Sequence, residues 1–484
     1  MNHKAILFRL LSSFLIFNCG LLQAQETFEF TIKDTLSDRL INDAIELSTG
    51  GYILLCDEVY TGNPRETQLV RISASGKLLG KKEVGIPEKS TGFTKITQIN
   101  QNLFALAGFQ ESNDSSYLWL YKMDSLFNEV QSRIFSLGNY TLYTVTDLII
   151  NNEKIICSGT CEKGYSKKPF IYKISQSFDS IQLRIFTETG SPFPPDVLVK
   201  KNNEGFYFFI GAYEVTANMH VLDIDTSFIT QSIKGVPNNL RQNPEAKWIN
   251  GNRYILAANR DYSNIDRCIG VLCLDTIEQV FNEYYIGDHD TIEWPGLRSR
   301  LDFIDTNKIY VGGTHNFCMS SEFCSVHCWF SLNQMDTTLN VNWQHFYGGD
   351  ANYTMYGIRA TKDKGCLLFG SRYDLDPSSP ERDIYVFKVN EDGLITSGIN
   401  HVSSMVHNAI VYPNPGSANL NIESGPQVSG SEFRLTAVSG KQVISRIIRT
   451  GKTTLSTQCL HPGTYVWYII NKNKVIESGK WVKE

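Results

Sequence analysis

The sequence predicts an all-β chain: a repeat β-propeller followed by a small C-terminal β-sandwich. Aromatic residues make up 12% of the 484 residues and charged residues only 20%. This balance favours many short strands and excludes disorder, collagen and coiled coil as the bulk of the chain. Short apolar runs recur at a nearly constant spacing along most of the chain, whereas residues 409–484 follow a different pattern.

The repeated unit is a short apolar run in a constant neighbourhood. Seven runs begin at Tyr52, Leu103, Lys154, Phe206, Tyr254, Lys308 and Cys366. They lie about 52 residues apart, and a period near 40–50 with several strands per unit is typical of a propeller blade. An alternating strand precedes each run, and a third strand and a turn rich in Asp, Ser and Gly follow it. The repeat predicts about seven four-stranded blades, with six or eight as alternatives.

The two ends of the array predict how the ring closes. The seventh unit has no outer strand after Ile395, and residues 26–32 form a strand without a unit of its own. We expect this N-terminal strand to complete the last blade, because that leaves no open sheet edge in the ring. The array resembles the divergent repeat propellers of secreted bacterial proteins, and its doublets Gly50-Gly51 and Gly312-Gly313 loosely resemble those of kelch repeats. This resemblance implies no catalytic residues.

The first 25 residues have the features of a secretory signal peptide. Lys4 and Arg9 make the N-terminus positively charged, and residues 5–17 are largely apolar. The segment ends in small and polar residues at Ala24 and Gln25. A lipid-modified Cys19 is the alternative, although Asn18 before it fits that signal poorly. No later segment is apolar over about 18 residues, so we expect no transmembrane segment in the mature chain. The net charge of −5 without a basic block argues against nucleic acid as a partner.

Export to an oxidising compartment would allow the cysteines to form disulfides, so their positions bear on the fold. Cys56, Cys157 and Cys366 lie in apolar runs and are predicted to be packed thiols. Cys318 and Cys324 flank a short polar turn, which suggests a disulfide between them. A zinc site with His315 and His327 is the less favoured alternative because the spacing matches no established ligand pattern.

The C-terminal residues carry an ordered set of motifs. Tyr412-Pro413-Asn414-Pro415 opens the set, a Ser-Gly-Lys turn contains Gly440, and Leu460, Gly463 and Tyr465 form a later element before the basic end with Lys480 and Lys483. The set resembles the type A C-terminal sorting domain of the Bacteroidetes type IX secretion system. The resemblance implies recognition by the outer-membrane translocon and its sortase. The chain would pass through the periplasm and then be released or attached at the cell surface. An adhesive immunoglobulin-like module without an export role is the alternative.

The predicted organisation is a signal peptide at 1–25, a propeller at 26–397, a linker at 398–408 and a sorting domain at 409–484. The motifs of common hydrolases, phosphate-binding loops and calcium loops are absent from the sequence. Two acidic clusters remain. Asp374, Asp376, Glu381 and Asp383 form a calcium candidate, although a solvated loop is the simpler interpretation, and we expect no other cofactor or metal. Asp288, Asp290 and Glu293 form the second cluster, in the loop before blade six.

Two further patterns concern the surface of the propeller. Trp294, in Glu293-Trp-Pro-Gly296, is predicted to be an exposed loop aromatic that could stack on a sugar. Asp-Ser or Asp-Thr followed by an apolar residue or Thr recurs at Asp34, Asp124, Asp179, Asp275, Asp290 and Asp336. These segments are similar to the O-glycosylation sequence of Bacteroidetes and fit turn chemistry equally well.

Two functions remain open from the sequence. The favoured one is a secreted or surface-attached propeller that binds an extracellular protein or glycan without catalysis. The alternative is an extracellular hydrolase or lyase acting on polysaccharide or peptide, with carboxylates from several blades meeting in the central channel. Two carboxylates about 5–10 Å apart in an open funnel would favour the enzyme, and an apolar or featureless channel would exclude it.

Overall fold

Only part of the chain is described, from a computed structural model. The description covers residues 26–484 apart from the following segments: 34–37, 60–64, 87, 113–114, 190–195, 202–204, 212–218, 262–266, 278, 288–290, 319–326, 374–381, 396–408, 425–427, 438–440, 450 and 472–473.

Strands β1–β29 form seven antiparallel sheets, each of which is one blade. The first strand, β1 (Phe28–Ile32), belongs to the last blade. Blade one comprises β2 (Asp38–Glu46), β3 (Tyr52–Val59), β4 (Glu66–Ile72) and β5 (Leu78–Val84). Blade two comprises β6 (Thr91–Asn100), β7 (Leu103–Ser112), β8 (Ser115–Asp124) and β9 (Glu129–Phe135). Blade three comprises β10 (Thr141–Asn151), β11 (Lys154–Lys163), β12 (Ser166–Ser175) and β13 (Ser180–Ile185).

The remaining blades repeat this order, with one departure in blade six. Blade four comprises β14 (Val197–Lys201), β15 (Gly205–Ile210), β16 (His220–Ile224) and β17 (Thr230–Gly235). Blade five comprises β18 (Leu240–Trp248), β19 (Arg253–Asp261), β20 (Arg267–Asp275) and β21 (Val280–Ile286). Blade six comprises β22 (Trp294–Pro295), β23 (Leu301–Asp302), β24 (Ile309–His315), β25 (Trp329–Met335) and β26 (Val341–Gly348). Blade seven comprises β27 (Asn352–Ala360), β28 (Cys366–Tyr373) and β29 (Arg382–Val389), followed in the sheet by β1.

The N-terminal strand closes the ring as the sequence predicts. β1 pairs antiparallel with β29, in register from Phe28 opposite Lys388 to Ile32 opposite Ile384. The innermost strands of blades one and seven, β2 and β27, contact each other and so complete the circle. Phe28 and Ile32 are buried with residues of blade one, including Tyr52, so the closing strand also packs against the first blade.

The pattern of apolar and polar residues along the strands explains why the blades pack against one another. The second strand of each blade is buried on both faces, as in β15, in which all six residues are buried. The outer strands alternate, and β5 and β17 expose every second side chain or more. The cores lie between neighbouring blades. One of them joins Leu55 and Leu69 of blade one to Phe93 and Trp119 of blade two.

A recurrent turn connects the third and fourth strands of most blades. In blade two, the Asp124 carboxylate accepts hydrogen bonds from the backbone N–H groups of Leu126 at 2.9 Å and Asn128 at 2.8 Å. Phe127 has a φ of 67° and is buried. This backbone conformation costs roughly 1–2 kcal/mol for a residue with a side chain, and burial of the phenyl ring offsets the cost. The corresponding positions in blades one and seven are Gly76 and Gly393.

Residues 409–484 form two sheets with a shared apolar core. The strands are β30 (Ala409–Tyr412), β31 (Asn419–Ser424), β32 (Glu432–Ala437), β33 (Gln442–Ile447), β34 (Gly451–Ser456), β35 (Gly463–Asn471) and β36 (Lys474–Lys483). One sheet has the order β30–β31–β34 and the other β33–β32–β35–β36. Leu420, Phe433, Trp467 and Trp481 are among the residues buried between them. No helix among the described residues is long and apolar enough to span a membrane.

Candidate functional site

Charged side chains from most blades converge on the central channel. Asp43, Lys95, Asp147, Glu245 and Arg359 lie on the innermost strands of blades one, two, three, five and seven. Lys95 is close enough to interact electrostatically with the other four. Asp43 is buried, whereas the remaining four are partly exposed. The channel is therefore polar and reachable by solvent rather than apolar.

The innermost strand of blade six is interrupted, and the segment between its two parts contacts blade seven. Between β22 and β23, residues 297–299 bulge out of the sheet and lie beside β27 of blade seven, whereas Gly296 and Arg300 remain hydrogen-bonded to Gly312 of β24. The backbone N–H of Leu297 donates to the Met355 carbonyl at 3.2 Å, and that of Ser299 donates to the Tyr356 carbonyl at 3.1 Å. Gly296 is required at the start, since a Cβ there would lie 2.5 Å from the Ser299 carbonyl oxygen.

A chain of polar contacts runs through this segment and joins blades one, seven, six and five. Arg359 pairs with the Asp43 carboxylate, and its Nη1 donates to the Ser299 hydroxyl at 2.5 Å. The Ser299 hydroxyl donates in turn to Glu245 Oε1 at 3.2 Å. Burial opposes the charge of Arg359, but Asp43, Asp302 and Glu245 outweigh it and raise the pKa of the guanidinium. The network therefore fixes charged groups of four blades relative to one another.

Acidic residues of the inner strands also clamp neighbouring blades together. The Asp43 carboxylate accepts from the N–H of Ala44 at 2.9 Å and from Ile96 of blade two at 3.2 Å. Asp147 accepts from Leu148 at 2.8 Å and from Leu198 of blade four at 3.3 Å.

The same arrangement recurs in the second half of the ring. Asp302 accepts from Phe303 and from Ala360 of blade seven, both at 2.9 Å. Glu245 accepts from the N–H groups of Arg300 at 2.5 Å and Leu301 at 3.3 Å, both in blade six. These carboxylates bind backbone N–H groups of the next blade, so their local role is to hold the ring.

Two cations of the channel, Lys95 and Arg298, have fewer hydrogen-bond partners than these carboxylates. Lys95 Nζ donates to the Arg298 carbonyl at 3.3 Å. Arg298 itself donates no side-chain hydrogen bond to any residue that the structure describes, and its Nε is buried without an acceptor. Burial lowers the pKa of both groups. Both side chains keep partial exposure, so an external group can reach them.

A buried carboxylate with a strongly shifted pKa lies at the start of blade four. Asp196 is 1% exposed and accepts from the Thr160 hydroxyl at 3.0 Å and the Gly211 N–H at 3.4 Å. Desolvation raises its pKa to about 7, because these two hydrogen bonds only partly offset the loss of water. It couples blades three and four.

A polar groove of about 820 Å³ lies on the face of the ring where the second strand of each blade ends. The end of β7 and the start of β8 form one wall, and the start of β10 forms the other. Tyr143 is 47% exposed, and Lys167 Nζ lies 3.5 Å from its ring centroid. The other lining residues are polar or charged except Phe109 and Leu142: Arg65, Glu88, Lys89, Ser90, Glu111, Ser112, Ser115, Ser116, Thr141 and Glu162.

The opening motif of the C-terminal module is held against the last strand. Tyr412 ends the edge strand β30, and the Pro413 carbonyl accepts from Trp481 Nε1 at 2.8 Å. Asn414 donates to the Lys480 carbonyl at 2.8 Å and accepts from the Val482 N–H at 2.9 Å. Both proline peptides, before Pro413 and Pro415, are cis. The beginning and end of the module therefore form one structural unit.

The other motif residues are more dispersed. Gly463 begins β35, and the Tyr465 hydroxyl donates to the His461 carbonyl at 2.8 Å. Leu460 packs partly buried at the core of the module. Lys480 is exposed and Lys483 is partly exposed. Gly440 lies outside the described residues.

The remaining sequence candidates fall partly beyond the described residues. Cys318 is disulfide-bonded, and its predicted partner Cys324 lies outside the description. Cys56, Cys157 and Cys366 are buried free thiols, as predicted. Of the calcium candidates, Asp374, Asp376 and Glu381 are not described, and Asp383 lies in β29. Within the described ranges, no group of three or more His, Cys, Asp or Glu side chains could hold a metal ion.

The prediction for Trp294 is wrong. Its side chain is 8% exposed in the inner strand β22 and stacks on Phe317, with ring centroids 5.3 Å apart. The prolyl and glycyl residues after it suggested a loop, but they mark the interruption of an inner strand. In the second acidic cluster, Asp288 and Asp290 are not described. Glu293 is buried, contacts Nδ1 of His315 and accepts from the Thr291 hydroxyl at 3.2 Å.

The channel network was not predicted, although a signal for part of it exists. Asp43, Lys95 and Asp147 are spaced by 52 residues, the period of the repeat. A charged residue at one position of successive inner strands would have indicated a polar channel. The Asp-Ser and Asp-Thr pairs at Asp124, Asp275 and Asp336 belong to the recurrent turn. The turn accounts for the aspartates, and O-glycosylation of the next residue stays a prediction.

Solved structures of similar fold have low sequence identity to this chain. They include the β-propeller domain of the Trilobed protease from Pyrococcus furiosus, at 10% identity and a TM-score of 0.41, covering 72% of this chain and 95% of that chain. The AfRom2 CNH domain matches at 8% identity and a TM-score of 0.43, covering 75% and 99%. A neuraminidase-like protein of subtype N11 from A/flat-faced bat/Peru/033/2010 (H18N11) matches at 10% identity and a TM-score of 0.39, covering 75% and 91%. No curated protein gives a significant match.

One family model matches the sequence. Residues 410–484 match the secretion system C-terminal sorting domain, the same residues that carry the Tyr-Pro-Asn-Pro motif and the two-sheet module. A sorting domain of this kind implies export to the cell surface or the medium. The chain is thus a β-propeller that carries a type IX secretion sorting domain at its C-terminus.

Proposed function

We propose that this protein is a non-catalytic binding module, and that its ligand is an extracellular glycan held in the groove between blades two and three. The observation that carries the proposal is the composition of the groove. Hydroxyl, carboxylate and basic side chains line it, and the Tyr143 ring, with Lys167 over one face, is partly exposed at one wall. Aromatic faces stack on sugar rings and polar groups bind sugar hydroxyls. A lining this polar suits a hydrophilic ligand better than an apolar one.

The engagement of the channel carboxylates supports binding over hydrolysis. General acid and base catalysis requires carboxylates that can exchange protons with the substrate. Asp43, Asp147, Glu245 and Asp302 each accept hydrogen bonds from backbone N–H groups. Their removal would loosen the ring, so the polarity of the channel is accounted for without a reaction.

For the route of export, we propose cleavage of a signal peptide at 1–25 and passage through the periplasm of a member of the Bacteroidetes. The translocon would recognise 409–484, and its sortase would release the propeller or attach it to the surface. The match of 410–484 to the sorting family supports this route.

The binding proposal is tested with the mature chain, residues 26–484, on a glycan array followed by titration with the best soluble ligand. Tyr143→Ala should weaken binding about tenfold or more. Tyr284→Ala is the matched control, because Tyr284 is 37% exposed on an outer strand of blade five, away from the groove. Equal affinity of the two variants would contradict the assignment of the groove.

A further inference from the structure

A guanidinium that has no partner among the described residues indicates a second ligand site in the channel, separate from the groove. Arginine side chains are rarely buried without a partner, because removing the charge from water is costly. Arg298 is partly exposed overall, but its buried Nε departs from this rule. Its Nε is buried and lacks an acceptor, and none of its guanidinium N–H groups binds a residue in the described part of the chain.

The position of Arg298 is fixed by its backbone rather than by its side chain. The N–H of Arg298 donates to the Tyr356 carbonyl at 2.6 Å, and the Arg298 carbonyl accepts from Lys95 Nζ at 3.3 Å. These contacts hold residue 298 between blades two and seven. The guanidinium is thereby kept in the channel with no role in holding the segment.

The charges around Arg298 determine the kind of ligand. Four ion pairs are complete: Arg359 with Asp43, Arg300 with Glu245, Arg65 with Asp57, and Lys247 with Asp302. Of the charges left over, Lys95 interacts with Asp147. Among the channel residues that the structure describes, one positive charge then remains, on Arg298, and a monoanion would neutralise it.

We propose that Arg298 and Lys95 form a binding site for a single carboxylate group of a small ligand. A guanidinium fork matches the two oxygens of a carboxylate. Lys95 brings a second cation to the same residue, because its ammonium group contacts the Arg298 backbone carbonyl at 3.3 Å. Both side chains are partly exposed, so the carboxylate can reach them from the channel mouth. A dianion such as sulfate is disfavoured, because Asp147 lies next to Lys95 and only one positive charge is in excess.

The test is titration of the mature protein with glucuronate, with glucose as the neutral control and sulfate as the dianion control. We expect saturable binding of glucuronate, no binding of glucose and weaker binding of sulfate. Arg298→Gln should weaken glucuronate binding at least about tenfold, and Lys95→Met should weaken it less. Arg133→Gln is the matched control, because Arg133 lies on the outer strand β9 and is 52% exposed.

Several results would overturn the site. The first is that the wild-type protein does not bind glucuronate. The second is that sulfate binds more tightly than glucuronate. The third is that Arg298→Gln binds glucuronate with the affinity of the wild type. If Arg298→Gln does not fold, Arg298→Lys replaces it, because lysine keeps the positive charge but lacks the guanidinium fork. Glucuronate binding that neither Arg298→Lys nor Lys95→Met weakens would then count against the site. Glucuronate binding that Tyr143→Ala weakens as strongly as Arg298→Gln does would place the ligand in the groove and also overturn the site.

Discussion

The guanidinium of Arg359, on the innermost strand of the last blade, pairs with the carboxylate of Asp43 on the innermost strand of the first. The two residues are 316 positions apart in the sequence. The ring is therefore closed at two distances from its axis. This ion pair joins the first and last blades beside the channel, and β1 completes the last blade at the outer rim. Arg359 also donates through Nε to the Ala44 carbonyl at 3.1 Å, which ties it to the backbone of blade one.

Arg359→Met should destabilise the propeller by about 3–5 kcal/mol, because it leaves the buried Asp43 carboxylate without its cation. Urea unfolding of the mature protein, with Arg133→Met as the exposed control, measures the difference. Adding Asp43→Asn to Arg359→Met should restore part of the loss. A change within about 0.5 kcal/mol for Arg359→Met would mean that the pair does not close the ring.

The closing strand at the rim gives an independent prediction. Phe28 is 4% exposed and lies against Tyr52, with ring centroids 5.8 Å apart. Phe28→Ala should cost about 3–5 kcal/mol and release β1 from β29. Hydrogen exchange should then speed up in β1 and β29 more than in blade three, and the exposed Lys33→Ala should have no effect. Uniform acceleration in all blades would show that ring closure is not a local event.

Asp196 predicts a pH dependence of stability. Its pKa in the folded protein is about 7, above the usual value of an aspartate, because burial disfavours the charge. The folded state thus holds a proton that the unfolded chain has already lost, and stability falls as the pH rises from about 4 through 7. Between pH 5 and pH 8 the loss should be roughly 2–3 kcal/mol.

Asp196→Asn should remove most of this dependence and be more stable than the wild type at pH 8. Urea unfolding at pH 5, 6.5 and 8 measures it, with the exposed Asp179→Asn as control. If the variant keeps the slope of the wild type, other groups carry the pH dependence and the environment assigned to Asp196 is incorrect.

Disruption of the apolar core of the sorting domain should prevent secretion of the protein. Trp481 is fully buried and its Nε1 donates to the Pro413 carbonyl. Trp481→Ala should therefore separate the opening motif from the last strand at a cost of about 3–5 kcal/mol. In a type IX secretion host, both this variant and a deletion of 409–484 should accumulate in the periplasm, whereas Gln458→Ala, in an exposed turn, should be secreted. Normal secretion of the deletion variant would disprove the role of the module.

How far the sequence predicts this molecule depends on the range of the contacts involved. Blade number, the closing strand and the C-terminal module follow from local patterns, since strand alternation, turn residues and the Tyr-Pro-Asn-Pro motif are short-range signals. The channel depends on contacts between residues such as Asp43 and Arg359, which no local pattern relates. Trp294 shows the limit most clearly, because an inner strand interrupted at Gly296 has the local sequence of a loop.

The most direct test of binding without catalysis is to incubate the mature protein with the polysaccharide that it binds best and to measure both bound protein and new reducing ends. We predict saturable binding that Tyr143→Ala weakens, with no more reducing ends than in a protein-free control. Reducing ends that accumulate with the wild type and disappear with a folded Glu245→Gln variant would contradict the account and make the channel a hydrolase site.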